Sequence, residues 1–149
     1  MKTRINYITT ALVIAGLLAV SSCQHHKDPE PEEVFDNKVS KTWIVGSVIE
    51  DGKDVTDTFT NFSLTFTSDK KYTSMNNPLK AGTFAESGTF EPLASAGSPD
   101  LFDVQLDNTT TLAVSALSET QLKFTLQYKG TGARTSSISG NYLFTLLAK

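Results

Sequence analysis

The stretch Phe62-Ser63-Leu64-Thr65-Phe66-Thr67 alternates a bulky apolar side chain with a hydroxyl at every step. A period of two puts the Phe and Leu side chains on one face of an extended chain and the hydroxyls on the other, the pattern of a strand buried on one side. Leu122-Lys123-Phe124-Thr125-Leu126-Gln127-Tyr128 repeats the alternation. Strands with one wet face belong to antiparallel sheets, so these two segments point to an all-β fold.

Working outward, further short runs rich in Thr, Val, Phe and Tyr predict strands over residues 42–50, 71–75, 87–91, 101–106, 110–116 and 141–147. Turn chemistry separates them at Asp51-Gly52, Ser68-Asp69, Ser98-Pro99-Asp100, Asp107-Asn108 and Ser118-Glu119. From Lys41 onward no amphipathic helix of ordinary length is expected. Eight short strands in meander order fit either an up-and-down antiparallel barrel or a β-sandwich. The barrel is preferred because closure leaves no exposed edge strand.

With 39% hydrophobic and 19% charged residues in 149, the chain has the composition of a globular protein with one core. Its formal charge of −3 becomes −5 if Lys2 and Arg4 are removed with a leader. Five acids against Lys27 give −4 over residues 24–37, which leaves −1 from Lys38 onward. No basic stripe exists to hold phosphates, so nucleic acid is not an expected partner. Cys23 is the only cysteine, and the fold must stand without an internal disulfide.

The first residues have the three parts of an export signal: basic Lys2 and Arg4, an apolar stretch over residues 11–20, and small residues before a cysteine. The apolar stretch is shorter than the ~20 residues needed to span a bilayer. Val20-Ser21-Ser22-Cys23 resembles the lipobox of bacterial lipoproteins. That resemblance implies cleavage after residue 22 and thioether lipidation of Cys23, with palmitate among its acyl chains and the membrane as a partner. The alternatives are a secretory signal with an incidental cysteine or an uncleaved anchor; the lipoprotein reading is preferred because the only cysteine falls where the lipobox requires it. Residues 23–40 then read as the lipidated cysteine and an acidic tether, with Pro29 and Pro31 breaking regular structure. The acidic run Lys27-Asp28-Pro29-Glu30 also resembles a signal for surface display on the outer membrane; a solvated spacer is the alternative.

A Lys41-Thr42-Trp43 start, the Asp51-Gly52 link, the Phe62-x-Leu64-x-Phe66 strand, Gly88-Thr89-Phe90 and the closing Ser139-Gly140-Asn141-Tyr142-Leu143-Phe144 come in a recognisable order. Together they resemble the lipocalin-like domain of small lipoproteins of Gram-negative bacteria, the Bacteroides group especially. The resemblance covers about residues 41–149 and implies an eight-stranded lipocalin-like barrel. Where lipocalins place a Gly two residues before the Trp, this chain has Lys41.

Catalytic signals are sparse. His25 and His26 fall in the tether and Cys23 is expected to carry lipid, so the domain lacks the residues for Ser-His-Asp or Cys-His chemistry and the usual zinc sites. The run Asp51-Gly52-Lys53-Asp54-Val55-Thr56-Asp57 lacks the EF-hand spacing and reads as a turn with a capped segment. Glu50, Glu86, Glu91 and Asp103 are the acids that strands could pair. The stronger lead is aromatic: Trp43, Phe62, Phe66, Phe90, Phe102, Phe124, Tyr142 and Phe144 occupy strand positions. In a wide barrel they line a pocket for a small apolar molecule; in a narrow one they fill it. The expectation is a non-enzymatic, membrane-anchored protein of the cell envelope that binds a small apolar molecule in the barrel, without a cofactor; the alternative is an interaction module contacting a glycan, a protein or another envelope component. Residues 130–137 read as a flexible link before the last strand, either a rim loop that touches a partner or merely a loop.

Overall fold

The computed structural model describes residues 29–80, 84–95, 101–129 and 139–149. Among them the strands run in chain order as β1 Thr42–Glu50, β2 Lys53–Asp54, β3 Ser63–Phe66, β4 Lys71–Met75, β5 Ser87–Ala94, β6 Phe102–Leu106, β7 Thr110–Leu117, β8 Gln121–Lys129 and β9 Ser139–Ala148. Each pairs antiparallel with its neighbours, β3 lying against β1, and β9 returns to β1 from Trp43↔Ala148 to Glu50↔Tyr142. This return closes an eight-stranded barrel, so the sandwich alternative does not hold. The two residues of β2 form a flap paired to the end of β1.

Local chemistry explains the meander. At the β1–β2 turn Asp51 and Gly52 both take positive φ, 46° and 87°, and Asp107 and Asn108 do the same at the β6–β7 turn, 48° and 56°. Asp, Asn and Gly tolerate this region, and at the β1–β2 turn it matches the twist of a two-residue hairpin, while the β6–β7 link has three residues. Register shifts between Val45 and Ser47 and between Val114 and Ala116 mark bulges that help the sheet to curl.

Alternate side chains point inward and are buried: Leu112 and Val114 on β7, Leu122, Phe124, Leu126 and Tyr128 on β8, and Tyr142, Phe144 and Leu146 on β9. Fully burying one such side chain contributes roughly 1.5–3 kcal/mol. A core of this kind can hold a domain without a disulfide.

One end of the barrel is closed by a helix, α1, Pro31–Val39. This corrects one expectation: the solvated tether does not run to residue 40 but stops short of this helix. Pro31 does not break the helix because it sits in the first turn, where its missing N–H would have no intrahelical partner. Glu32 and Glu33 in the first turn and Lys38 in the last suit the helix dipole. Phe35 and Val39, four residues apart, share one face and are 1% and 0% exposed. The folded unit therefore begins at α1 rather than at Lys41.

Three contacts fix α1 across the barrel end. Phe35 meets the Phe102 ring with centroids 5.3 Å apart. The Trp43 indole donates to the Val39 carbonyl at 2.9 Å. Lys70, in the β3–β4 turn, pairs with Asp36 and lies 3.6 Å from Glu32.

The opposite end is filled by a 3-10 turn, Thr56–Phe59, and by the link between β4 and β5. Phe59, Phe62, Leu79 and Phe84 are all buried there. The buried Asn77 side chain organises the link: its amide donates to Ser74 Oγ (3.2 Å) and the Phe84 carbonyl (3.1 Å), and its oxygen accepts from Leu79 N (2.9 Å). An amide satisfied in this way can be buried without the cost of a lost hydrogen bond.

Candidate functional site

Of the aromatic residues singled out in the sequence, Trp43, Phe62, Phe66, Phe90, Phe124, Tyr142 and Phe144 are buried, and Phe102 is partly buried against Phe35. Phe62, Phe124 and Tyr142 all meet Phe144 in one ring cluster, and Phe66 and Phe90 meet as a separate pair. Phe124 and Phe144 stack with centroids 4.9 Å apart and planes 17° from parallel. Phe62 lies 5.7 Å from Phe144, and Phe59 meets Phe144 edge-on at 5.2 Å. Toward the α1 end Phe66 and Phe90 form a T-shaped pair at 4.8 Å. These separations are those of packed rings: one ring occupies the space beside the next.

At the mouth opposite α1 a small cavity of about 130 Å3 lies among Glu50, Val55, Thr58, Phe59, Pro78, Leu79 and Tyr142. The Tyr142 hydroxyl donates to Glu50 Oε1 at 2.6 Å. Burial, reinforced by this carboxylate, pushes the Tyr142 hydroxyl pKa well above its ordinary value. Drug-sized ligands occupy cavities of about 300–1,000 Å3, so the mouth has room for only a small group.

A wider groove of about 490 Å3 runs over the outside of the barrel, on β7, β8 and β9. Thr109, Thr110, Thr111, Ala113, Thr125, Gln127, Lys129 and Asn141 line it. The register accounts for most of the set: Ala113 pairs with Thr125 and Gln127 with Asn141, and these outward positions alternate with the buried Leu112, Phe124, Leu126 and Tyr142. The described lining offers hydroxyls, two carboxamides and one ammonium, with neither a carboxylate nor an aromatic ring. Nothing in the sequence marks these residues, because the outward half of a period-two pattern looks like any solvated face.

The acids considered for catalysis fall on different elements, and three of them have their own partners. Glu50 holds Tyr142, Glu86 pairs with Lys80 at 3.0 Å, Asp103 accepts from Val114 N at 3.0 Å, and Glu91 sits opposite Gln105. In the Asp51–Asp57 run, Asp51 accepts from Asn141 N of β9 at 3.1 Å and Asp54 accepts from Thr56 N at 2.9 Å in a turn, while the 3-10 turn that follows has no side-chain cap. Among the described residues no three of His, Cys, Asp and Glu converge as metal ligands would. Cys23, the leader, His25, His26, the Ser98-Pro99-Asp100 turn and the loop at residues 130–137 lie outside the described residues.

A second carboxylate centre is structural. Asp107 accepts the Tyr72 hydroxyl at 2.7 Å and Thr89 N at 2.8 Å, bridging β4, β5 and the end of β6. A Cβ at Gly88 would come within 2.2 Å of that carboxylate, so only glycine leaves room for it. Burial and Asp107 together raise the Tyr72 hydroxyl pKa well above its ordinary value.

Compared with known proteins, the chain matches no protein-family model, no curated protein and no solved structure.

Proposed function

We propose that this protein is a lipid-anchored, non-catalytic binding module of the bacterial envelope that engages a hydroxyl-rich ligand, a glycan, on its outer wall. The observation carrying the reading is the occupied interior: the stacked Phe124–Phe144 pair and the rings around it take the space an apolar cargo would need. The outer groove is larger than the mouth cavity, and its hydroxyls, amides and Lys129 offer the donors and acceptors a sugar presents in return. The anchor and the outer-membrane address rest on the Val20-Ser21-Ser22-Cys23 lipobox and the acidic run after it. The resemblance to lipocalin-like lipoproteins agrees with both anchor and barrel.

The test is binding of the mature chain, carrying Cys23→Ser for solubility, to purified Gram-negative envelope polysaccharides by isothermal titration. A Gln127→Ala/Asn141→Ala double variant should lose about tenfold or more in affinity, the equivalent of about 1.4 kcal/mol, while its thermal midpoint stays unchanged. No binding, or equal binding by the double variant, rejects the groove.

A second reading has its own observation. The mouth cavity is walled by Val55, Phe59, Pro78 and Leu79, with one polar pair, Tyr142 and Glu50. It suits the tip of a small apolar molecule, not a whole acyl chain.

A further inference from the structure

The helix that closes one barrel end is also where the chain arrives from Cys23. We infer that the α1 end of the barrel faces the bilayer and that the opposite mouth, with Glu50 and Tyr142, faces away from it. This inference rests on the reading of Cys23 as the lipidated residue and adds an orientation to it.

Chain geometry supplies the argument. Only six residue steps separate Cys23 from Pro29, the first described residue. Fully extended, they reach at most about 22 Å. Pro29 and Glu30 lead directly into α1. That helix is not free to swing, because Phe35 and Val39 are buried in the core and Lys70 pairs with Asp36.

The entry point is therefore part of the rigid barrel, and it lies at one end. Trp43 at the start of β1 binds the helix, and Lys70 in the β3–β4 turn does so too. Lys41, just after α1, pairs with Glu119 in the β7–β8 turn at 2.8 Å. These turns mark the near rim; Asp51-Gly52 and β2 mark the far one.

The long strands set the distance between the rims. β8 has 9 residues and β9 has 10. At about 3.3 Å per residue and a tilt of about 40°, this gives a barrel roughly 23 Å tall. Bringing the far mouth to the membrane would require the tether to run straight up the barrel wall with nothing to spare. With the α1 end down, the same tether has slack. The bilayer is thus the neighbour of the α1 rim, and an envelope partner meets the mouth and the side wall.

Spin labels read the orientation directly. The full chain is produced in a Gram-negative host and reconstituted into vesicles of phosphatidylethanolamine and phosphatidylglycerol containing a nickel-chelating lipid. Lipid consumes the thiol of Cys23, the only cysteine, so one introduced thiol takes the label. Asp69→Cys and Glu119→Cys report the α1 rim, and Lys53→Cys and Asp57→Cys the far rim. Several-fold stronger paramagnetic relaxation at the first pair supports the orientation. Equal or reversed relaxation, in a chain whose mass shows lipid on Cys23, overturns it while sparing the anchor. A chain that carries no lipid and fails to float with the vesicles overturns both.

Discussion

The indole of Trp43 reaches back four residues to donate to the carbonyl of Val39 at 2.9 Å, in a buried setting. That bond ties the last turn of α1 to the first strand and makes the helix part of the barrel. The same carbonyl also accepts from Lys41 N at 2.8 Å, so the chain turns from helix to strand around one oxygen.

If α1 belongs to the core, Phe35→Ala should lower unfolding stability by about 3–5 kcal/mol, the range for truncating a buried aromatic. Urea titration of the mature chain measures it. A solvated tether would lose almost nothing on the same change, so a loss under ~0.5 kcal/mol would place the helix outside the cooperative unit.

The strands were legible and the helix was not, for a physical reason. A strand buried on one side writes its period into adjacent residues, so the 42–50 and 71–75 boundaries read from alternation agree with Thr42–Glu50 and Lys71–Met75. In α1 only Phe35 and Val39 carry the burial, among three acids and a Pro that also suit an extended chain. Phe59, Leu79 and Phe84 escaped for a related reason: they plug the barrel from irregular links, where no period marks a buried side chain. The aromatic set was visible from the start, but whether it lined a space or filled one depended on ring separations no sequence carries.

Gly88 and Asp107 should show strong coupling. Gly88→Ala drives a methyl into a carboxylate already held by Tyr72 and Thr89, at a cost of about 1–3 kcal/mol. In an Asp107→Gly background the same substitution should cost much less. A double-mutant cycle by chemical denaturation gives the coupling, and additive losses would show that the close approach is relieved elsewhere.

Alkaline pH should weaken the fold through Tyr72 and Tyr142. Burial and a carboxylate partner raise both folded-state pKa values above the ordinary 10.0. The unfolded chain therefore releases these protons first, and the contribution, complete below pH 10, drains away as pH rises beyond it. The slope approaches about 1.4 kcal/mol per pH unit for each group. Stability profiles of Tyr72→Phe and Tyr142→Phe should each be flatter above pH 10; profiles parallel to that of the parent chain would contradict the assignment.

The filled interior makes Phe124→Ala a gain-of-binding change. Removing the ring stacked on Phe144 should cost about 3–5 kcal/mol and leave an apolar cavity. Such cavities stay dry and accept benzene or xenon. Xenon shifts in NMR spectra should appear in the variant and be absent from the parent chain; equal shifts in both would mean that the parent already holds a void.

The most direct measurement is native mass spectrometry of the Cys23→Ser chain, retaining α1 and purified from a lipid-rich envelope extract. A barrel packed with its own rings should fly at its bare polypeptide mass. A reproducible added mass of an apolar molecule, lost on denaturation, would contradict the filled interior and return the barrel to the role of a carrier.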